Sequence, residues 1–313
     1  MMEIRKRLIP RDKNGMQANW IPEREYIFFK VKFNAFRDVS RSTANEILDR
    51  EELEECECVL ALPESYSDTG EPCPLILSCH GAGGRVTAEG ERIGGLADAL
   101  HCLDAGYAVL DVNGAAEHGL TMGCPEHIFA LYKAYRYAVS HYNLSRRVLL
   151  AGQSMGGQTA LNFAHMYPSI VLAVGIFYPR LNIDGATVDG HYCIGTWDKV
   201  HKRDGAPSTR DRIIDVYRFP DGNWCEENTI GSNPYKLRSF INSEGQRVVI
   251  PPCPIKIWQG TADTVVDPVM IQEFVASVRR SGSYIELHML EGVAHKANSV
   301  MREELKLWFN RFI

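Results

Sequence analysis

Three observations predict an α/β fold in which a mostly parallel central sheet carries helices on both faces. Short runs that are apolar throughout, such as PLILSC, YAVLDV, RRVLLA and IVLAVGIFY, recur from residue 74 onward. Strands without a polar face are buried on both sides. Segments of helical spacing separate them, and such an alternation makes parallel neighbours. The third observation sets the scale: 313 residues, 45% of them hydrophobic, supply one large core or two modest ones, which excludes a disordered tail or a stapled mini-protein.

The elements follow in order. Residues 24–34 (REYIFFKVKFN) and 54–62 (EECECVLAL) have strand patterns, with a polar helical segment at Ser42 to Glu52 between them, and read as an antiparallel opening. From Pro74, PLILSCHG is a buried strand, Glu89 to Ala105 a helix, and YAVLDVNG the next strand. Pro125 to Asn143 starts with a proline suited to a first helical turn and places Ile128, Leu131, Ala134, Tyr135 and Ala138 at helical spacing. RRVLLAGQS is then a strand, Ser154 to Tyr167 a helix, and Ile170 to Tyr178 a strand. The alternation stops after Pro179 and resumes at Pro254 with strand PIKIWQG, helix Pro268 to Ser281, strand YIELHMLEG and a closing helix over Lys296 to Phe312. Residues 180–250 are therefore an insertion. Twenty of its 71 residues are charged, yet it holds Trp197, Trp224, Tyr192, Tyr217, Phe219 and Tyr235. It is too long for a loop and too aromatic for a linker, and reads as a cap over one edge of the sheet, with a surface excursion as the competing reading.

Composition narrows the partners. Lys and Arg number 34 against 39 Asp and Glu, a net charge of −5, so no excess of cations is available for a phosphate backbone and nucleic acid is not an expected partner. The longest apolar stretch, Ile170 to Tyr178, is half of what a membrane-spanning helix needs. MMEIRKRLIPRDKNG has basic residues with no apolar run behind them, so no secretory signal is expected and the cytoplasm is the default location. The nine cysteines are scattered and lack CxxC pairs, so reduced thiols are expected, with Cys58, Cys79 and Cys102 as small core residues. No His/Cys cluster has metal-ligand spacing, and no metal or organic cofactor is expected.

Four motifs carry chemistry. Strand RRVLLA runs into Gly152-Gln153-Ser154-Met155-Gly156 and directly into a helix, the context a nucleophile elbow requires. A sharp strand-to-helix turn strains the serine, crowds the flanking backbones so that only glycine fits, and frees the Met155 amide at a helix N-terminus. Ser78-Cys79-His80-Gly81-Ala82-Gly83-Gly84 closes an earlier strand, and its glycines let amides turn inward. The spacing fits neither common phosphate-loop pattern. Ala82 is the first candidate for a second oxyanion-hole amide beside Met155, and Gly83 the second. Trp258-Gln259-Gly260-Thr261-Ala262-Asp263 and Glu291-Gly292-Val293-Ala294-His295 lie just past the last two strands. Strand C-terminal ends are where an open α/β sheet assembles its site. In that arrangement Ser154 is the nucleophile, His295 takes and returns its proton, and Asp263 holds the imidazole. Asp267 competes with Asp263, but beside Pro268 it reads as a helix cap. His118, in Ala115-Ala116-Glu117-His118-Gly119, lies at the same edge and is a candidate pocket residue against the commoner surface histidine. Trp197 and Trp224 of the insertion are candidate substrate contacts. His80 reads as a brace for the glycine loop.

Together, His80-Gly81-Ala82-Gly83-Gly84, Gly152-Gln153-Ser154-Met155-Gly156-Gly157, Gly260-Thr261-Ala262-Asp263 and Gly292-Val293-Ala294-His295 make the chain resemble the α/β-hydrolase superfamily, most of all its esterases and prolyl-oligopeptidase-like members. The resemblance covers residues 55–313 and implies a catalytic domain with the cap at about 180–250, while residues 1–54 form an extension that adds strands to the sheet edge or makes a subunit contact, as in a homo-oligomer. It implies a serine hydrolase working without a cofactor. The expected reaction is cleavage of a small-molecule carboxylic ester through an acyl-enzyme on Ser154. The polar cap, lacking the broad apolar face of a lipase lid, points to short-acyl or aryl esters of polar alcohols. A peptidase is the alternative, set back by the short N-terminal extension, which is too small for a propeller. A non-catalytic binding protein is the third reading, and usually requires a damaged triad. Any preference for an acidic substrate must come from local groups, such as Lys199, Lys202 and Arg203.

Overall fold

The computed structural model describes residues 3–12, 14–33, 54–114, 121–183, 216–217 and 230–313. Strands β1 (Ile4–Leu8), β2 (Arg24–Phe33), β3 (Glu54–Ala61) and β4 (Cys73–Cys79) come first, followed by the small ribbon β5 (Val86–Thr87) and β6 (Arg92–Ile93). A 3-10 turn at Leu96–Ala99 leads into α1 (Leu100–Asp104), then β7 (Ala108–Val112), α2 (Pro125–His141), β8 (Leu144–Gln153), α3 (Met155–Met166) and β9 (Val171–Phe177). After the insertion's hairpin, β10 (Ser239–Ile241) and β11 (Arg247–Val249), the chain closes with β12 (Ile255–Gly260), α4 (Pro268–Arg280), β13 (Ile285–Leu290) and α5 (Ser299–Phe309). Among these, no helix is long and apolar enough to cross a membrane.

Nine strands form one sheet in the order β1-β2-β3-β7-β4-β8-β9-β12-β13. The pairings β1/β2, β2/β3 and β3/β7 are antiparallel, and every pairing from β7 to β13 is parallel. Side chains in the parallel strands alternate between two cores. Val148 and Leu150 of β8 face the core built with α2, α3 and α4, whereas Leu149 and Ala151 face the one built with α1 and α5. That two-sided burial explains why these strands are apolar throughout. Because β4, β8, β12 and β13 run parallel, their C-terminal ends share one edge of the sheet.

One expectation changes. The helix predicted over Glu89 to Ala105 is replaced by the β5/β6 ribbon and a helical stretch confined to 96–104. Glycines decide this: Gly94 has φ +57°, and a Cβ on Gly95 would lie 3.0 Å from the backbone nitrogen of His80, so the chain passes here too close to β4 for a helix with side chains. A further strand is β1, whose sequence, IRKRL, does not announce it; it pairs with β2, so Ile4–Leu8 and Arg24–Phe33 extend the sheet edge. The helical segment expected over Ser42 to Glu52 lies outside the described residues, as does most of the 180–250 insertion. Its described parts are tied to the core. Gln158 and Asn162 of α3 donate to the carbonyl of Ser232 at 3.0 and 2.7 Å, and the Tyr217 hydroxyl donates to the carbonyl of Met122 at 2.7 Å. Cys58, Cys79 and Cys102 are buried free thiols, as their apolar neighbours suggest, and burial pushes Cys102 up to about 12.

Candidate active site

Ser154 sits between the end of β8 and the first residue of α3 with φ +52° and ψ −117°. That backbone geometry costs on the order of 1–3 kcal/mol for a non-glycine residue and persists only where the surroundings over-determine it. Here they do. The Ser154 amide donates to the Phe177 carbonyl at 3.0 Å, and its carbonyl accepts from Gly157 at 3.0 Å and Arg180 at 2.9 Å. The flanking glycines are required by contact: a Cβ on Gly152 would lie 2.4 Å from the Gly156 carbonyl oxygen, and one on Gly156 only 2.0 Å from that of Cys79.

His295 Nε2 lies 3.0 Å from Ser154 Oγ, and His295 Nδ1 lies 2.8 Å from Asp263 Oδ2. With Nδ1–H donating to the carboxylate, the lone pair of Nε2 faces the serine hydroxyl. The Asp263 side chain is wholly buried and accepts at both oxygens, from His295 and from Gln259 Nε2 at 3.0 Å on Oδ2, and from the amides of Val265 and Val266 at 2.8 and 2.9 Å on Oδ1. The turns that carry the two residues are laced together: Ala262 donates its amide to the Val293 carbonyl at 3.0 Å, and Gly292 donates to Thr261 Oγ1 at 2.9 Å. A polar hydrogen-bonded cage of this kind fixes ring position as well as tautomer. Asp267 is elsewhere engaged; it caps α4, accepting from Val269 N at 2.8 Å.

The glycine loop lies opposite. Gly84 donates to the Gly81 carbonyl at 3.0 Å, closing a turn in which Gly83 has φ +81°, the third-position geometry of a type II turn. Among the described residues, the amides of Ala82, Gly83 and Met155 have no acceptor within the protein. His80 is folded beneath the loop, buried, with Nδ1 3.1 Å from Asp111 Oδ2. The same Asp111 oxygen accepts from the Gly95 amide at 2.6 Å, so the loop and the residues after the β5/β6 ribbon share one anchor. His127 packs edge-on against His80 at 5.8 Å, and burial, with His80 adjacent, lowers its imidazole to about 3.

A cavity of about 470 Å³ opens over Ser154 and His295, within the range of small-molecule sites. The sequence reading brought Ser154, Asp263, His295, Ala82, Gly83 and Met155 to this edge, and the structure places them together there. His118, Trp197 and Trp224 lie outside the described residues, as do Lys199, Lys202 and Arg203. Other parts of the site had not been foreseen. Tyr178, with φ +36°, lays its ring 4.4 Å from that of His295 and donates its hydroxyl to Gln153 Oε1 at 2.5 Å. Gln259 supports Asp263, and the only sequence signal for it is a polar residue on a buried, otherwise apolar strand. The N-terminal segment contributes Arg11, Asp12 and Trp20 to the cavity wall, and the β5/β6 ribbon contributes Arg92 with Arg85 before it.

No protein-family model matches this sequence, and no curated protein matches it. Solved structures do. An acylaminoacyl peptidase from Pyrococcus horikoshii superposes with a TM-score of 0.61 at 14% identity, over 93% of this chain and 46% of its own. A puromycin-hydrolysing peptidase from Mycobacterium tuberculosis gives 0.58 at 16% identity, over 83% of this chain and 37% of its own. A thermophilic esterase from the planctomycete Thermogutta terrifontis gives 0.52 at 15% identity, over 82% of this chain and 86% of its own. The chain spans between about a third and a half of the length of the peptidases it matches, from 35% to 46%. Identities this low speak to architecture, and with the strand order above they give the chain the α/β-hydrolase fold.

Proposed function

We propose that the protein is a serine hydrolase that cleaves small carboxylic esters through an acyl-enzyme on Ser154. The observation that carries the reading is the unbroken line from Ser154 Oγ through both nitrogens of His295 to Asp263, at 3.0 and 2.8 Å. In it, Ser154 Oγ attacks the ester carbonyl while its proton passes to His295 Nε2. Asp263, fixed by Gln259 and two amides, stabilises the imidazolium. The carbonyl oxygen becomes an oxyanion between the amides of Met155 and Ala82, with Gly83 as the other candidate donor; each such donor is worth about 3 kcal/mol in the transition state. Collapse breaks the bond to the alkoxide, which leaves with the proton from His295. Water then gives its proton to His295, attacks the acyl carbon, and the carboxylic acid and free Ser154 are restored.

In this reading residues 55–313 are the catalytic domain, the insertion at about 180–250 is its cap, and His118, Trp197 and Trp224 are substrate contacts. Amide cleavage is the second reading. It is favoured by the peptidases superposing over up to 93% of the chain, against 82% for the esterase. Fluorophosphonate labelling and hydrolysis of p-nitrophenyl acetate, each with wild type and Ser154→Ala, test the chemistry: the variant should take no label and lose roughly 10⁴-fold or more in kcat. Retained activity in Ser154→Ala would sink it. Aminoacyl-naphthylamides cleaved faster than aryl acetates would move the assignment to amides.

A further inference from the structure

The cavity has a second, charged end. One side holds Ser154, His295 and the glycine loop; the other holds Arg11, Asp12, Arg85 and Arg92. Three arginines and one aspartate line the cavity there, in a chain whose net charge is −5. The existing partners leave two of the three unclaimed. Arg11 donates Nε to Glu91 Oε2 at 3.1 Å and a terminal nitrogen to the Gly15 carbonyl at 2.9 Å. Asp12 is spent on its own turn, its Oδ1 accepting from the amides of Asn14 and Met16 at 2.8 and 3.0 Å. Those amides, Met16 foremost, hold its carboxyl below the usual range, and the nearby charge of Arg92 acts in the same direction. Among the described residues, the Arg92 side chain makes no ion pair within 4.0 Å and the Arg85 side chain has neither an ion pair nor a hydrogen bond.

Their placement is built into the fold. Arg85 follows the glycine loop directly, and Gly94 donates to its carbonyl at 2.8 Å, while Arg92 pairs with Thr87 across the ribbon. The ribbon buries Val86 and Ile93, and Arg85 and Arg92, which precede them, line the cavity. The Arg11 amide bonds the Glu91 carbonyl at 2.8 Å, so the N-terminal segment roofs the same end. A guanidinium fork matches a carboxylate in a bidentate manner.

We infer that Arg85 and Arg92 bind a carboxylate of the substrate, so that the enzyme prefers esters carrying a free acid over their neutral counterparts. The ester part of this statement rests on the proposed hydrolase reading; the anion-binding part does not. Two matched pairs locate the acid: 4-acetoxybenzoate against methyl 4-acetoxybenzoate for the leaving group, and p-nitrophenyl hemiglutarate against p-nitrophenyl methyl glutarate for the acyl group. The readout is the acid-to-neutral ratio of kcat/KM within each protein, so that a general loss cancels. Wild type should favour the acid in at least one pair, and Arg85→Gln/Arg92→Gln should lower that ratio about tenfold. A ratio unchanged by the double substitution, or a wild-type preference for the neutral member of both pairs, overturns the inference. Calorimetric binding of 4-acetamidobenzoate and its methyl ester to Ser154→Ala separates the two readings. The acid should bind about fivefold or more tighter, and lose that advantage when both arginines are also replaced. Binding preference without turnover retains the anion site and removes the hydrolase; turnover through Ser154 with no preference in either assay does the reverse.

Discussion

Replacing Gly156 by alanine should push Ser154 away from the glycine loop. The added Cβ would stand 2.0 Å from the Cys79 carbonyl oxygen and 2.7 Å from that of His80, and both are backbone atoms that cannot rotate away. Ordinary contact begins at 3.4 Å, so the end of β4 and the start of α3 must part by roughly 1.4 Å. Ser154 and Met155 ride on one side of that contact and Ala82 and Gly83 on the other. A misplacement of about 1 Å between reacting groups typically costs about 10²-fold in rate. Overpacking adds about 1–3 kcal/mol of destabilisation, several degrees in Tm. The assay is kcat/KM on p-nitrophenyl acetate and the rate of fluorophosphonate labelling, read beside thermal unfolding. Gly231→Ala is the control, since nothing lies within 4 Å of a Cβ there. A folded Gly156→Ala protein that is labelled and turns over at wild-type rates would refute the steric argument, and with it the placement of the oxyanion donors on the glycine loop.

Three other outcomes follow from named contacts. Asp263→Asn should cost about 10⁴-fold in kcat by favouring the wrong imidazole tautomer, whereas Asp267→Ala should cost about 1 kcal/mol of stability as a lost helix cap and leave kcat unchanged; steady-state kinetics and urea unfolding of the two variants decide which aspartate serves His295. Gln259→Leu removes one of the two side-chain donors on Asp263 Oδ2, leaving His295, and should lower kcat roughly tenfold with little change in KM; a wild-type kcat would show that His295 and the two amides on Oδ1 suffice to hold the carboxylate. The third concerns acid. His127 titrates at about 3 when folded against an ordinary 6.5, so below that ordinary value the unfolded chain takes up a proton that the native state refuses. Stability contributed by the neutral ring is therefore complete above 6.5 and lost as pH falls toward about 3, at up to about 1.4 kcal/mol per pH unit. His127→Phe should flatten the urea-unfolding midpoint between about pH 6.5 and about pH 4, and an equally steep decline in that variant would assign the acid sensitivity elsewhere.

The parallel half of the sheet was legible because burial on both faces leaves a plain mark. A strand such as RRVLLAGQ, sending Val148 and Leu150 to one core and Leu149 and Ala151 to the other, has to be apolar throughout. The edge strand β1 obeys no such rule: its burial is confined to Leu8, so IRKRL has nothing to alternate. The helix expected at 89–105 failed for a different reason. Spacing of apolar residues is a local signal, and Gly94 and Gly95 are set by what lies across the fold, the side chain of Asp111 and the backbone at His80. Ser154, Asp263 and His295 could be placed because each stands at a fixed offset past a strand end, where the parallel sheet gathers them. Gln259 could not, since sequence does not say which way a polar side chain on a buried strand will point.

The same distinction separates the chemistry of the site from its selectivity. Ser154, Asp263 and His295 hang from the ends of the sheet, so the pattern that builds the core also positions them. The opposite wall comes from residues 10–12 and 18–21 and the β5/β6 ribbon, held by backbone hydrogen bonds such as Arg11 to Glu91 and Ala18 to Pro10, which leave no trace in side-chain pattern. Net charge misleads in the same way. A charge of −5 spread over the surface is screened beyond about 8 Å at physiological salt, whereas a guanidinium about 4 Å from a bound carboxylate contributes up to about 4 kcal/mol of attraction at a surface-like dielectric. The cavity's local balance, with the side chains of Arg85 and Arg92 unpaired beside a single engaged Asp12, therefore outweighs the chain's acidity, and an overall negative protein presents a positive wall in the cavity that Ser154 lines.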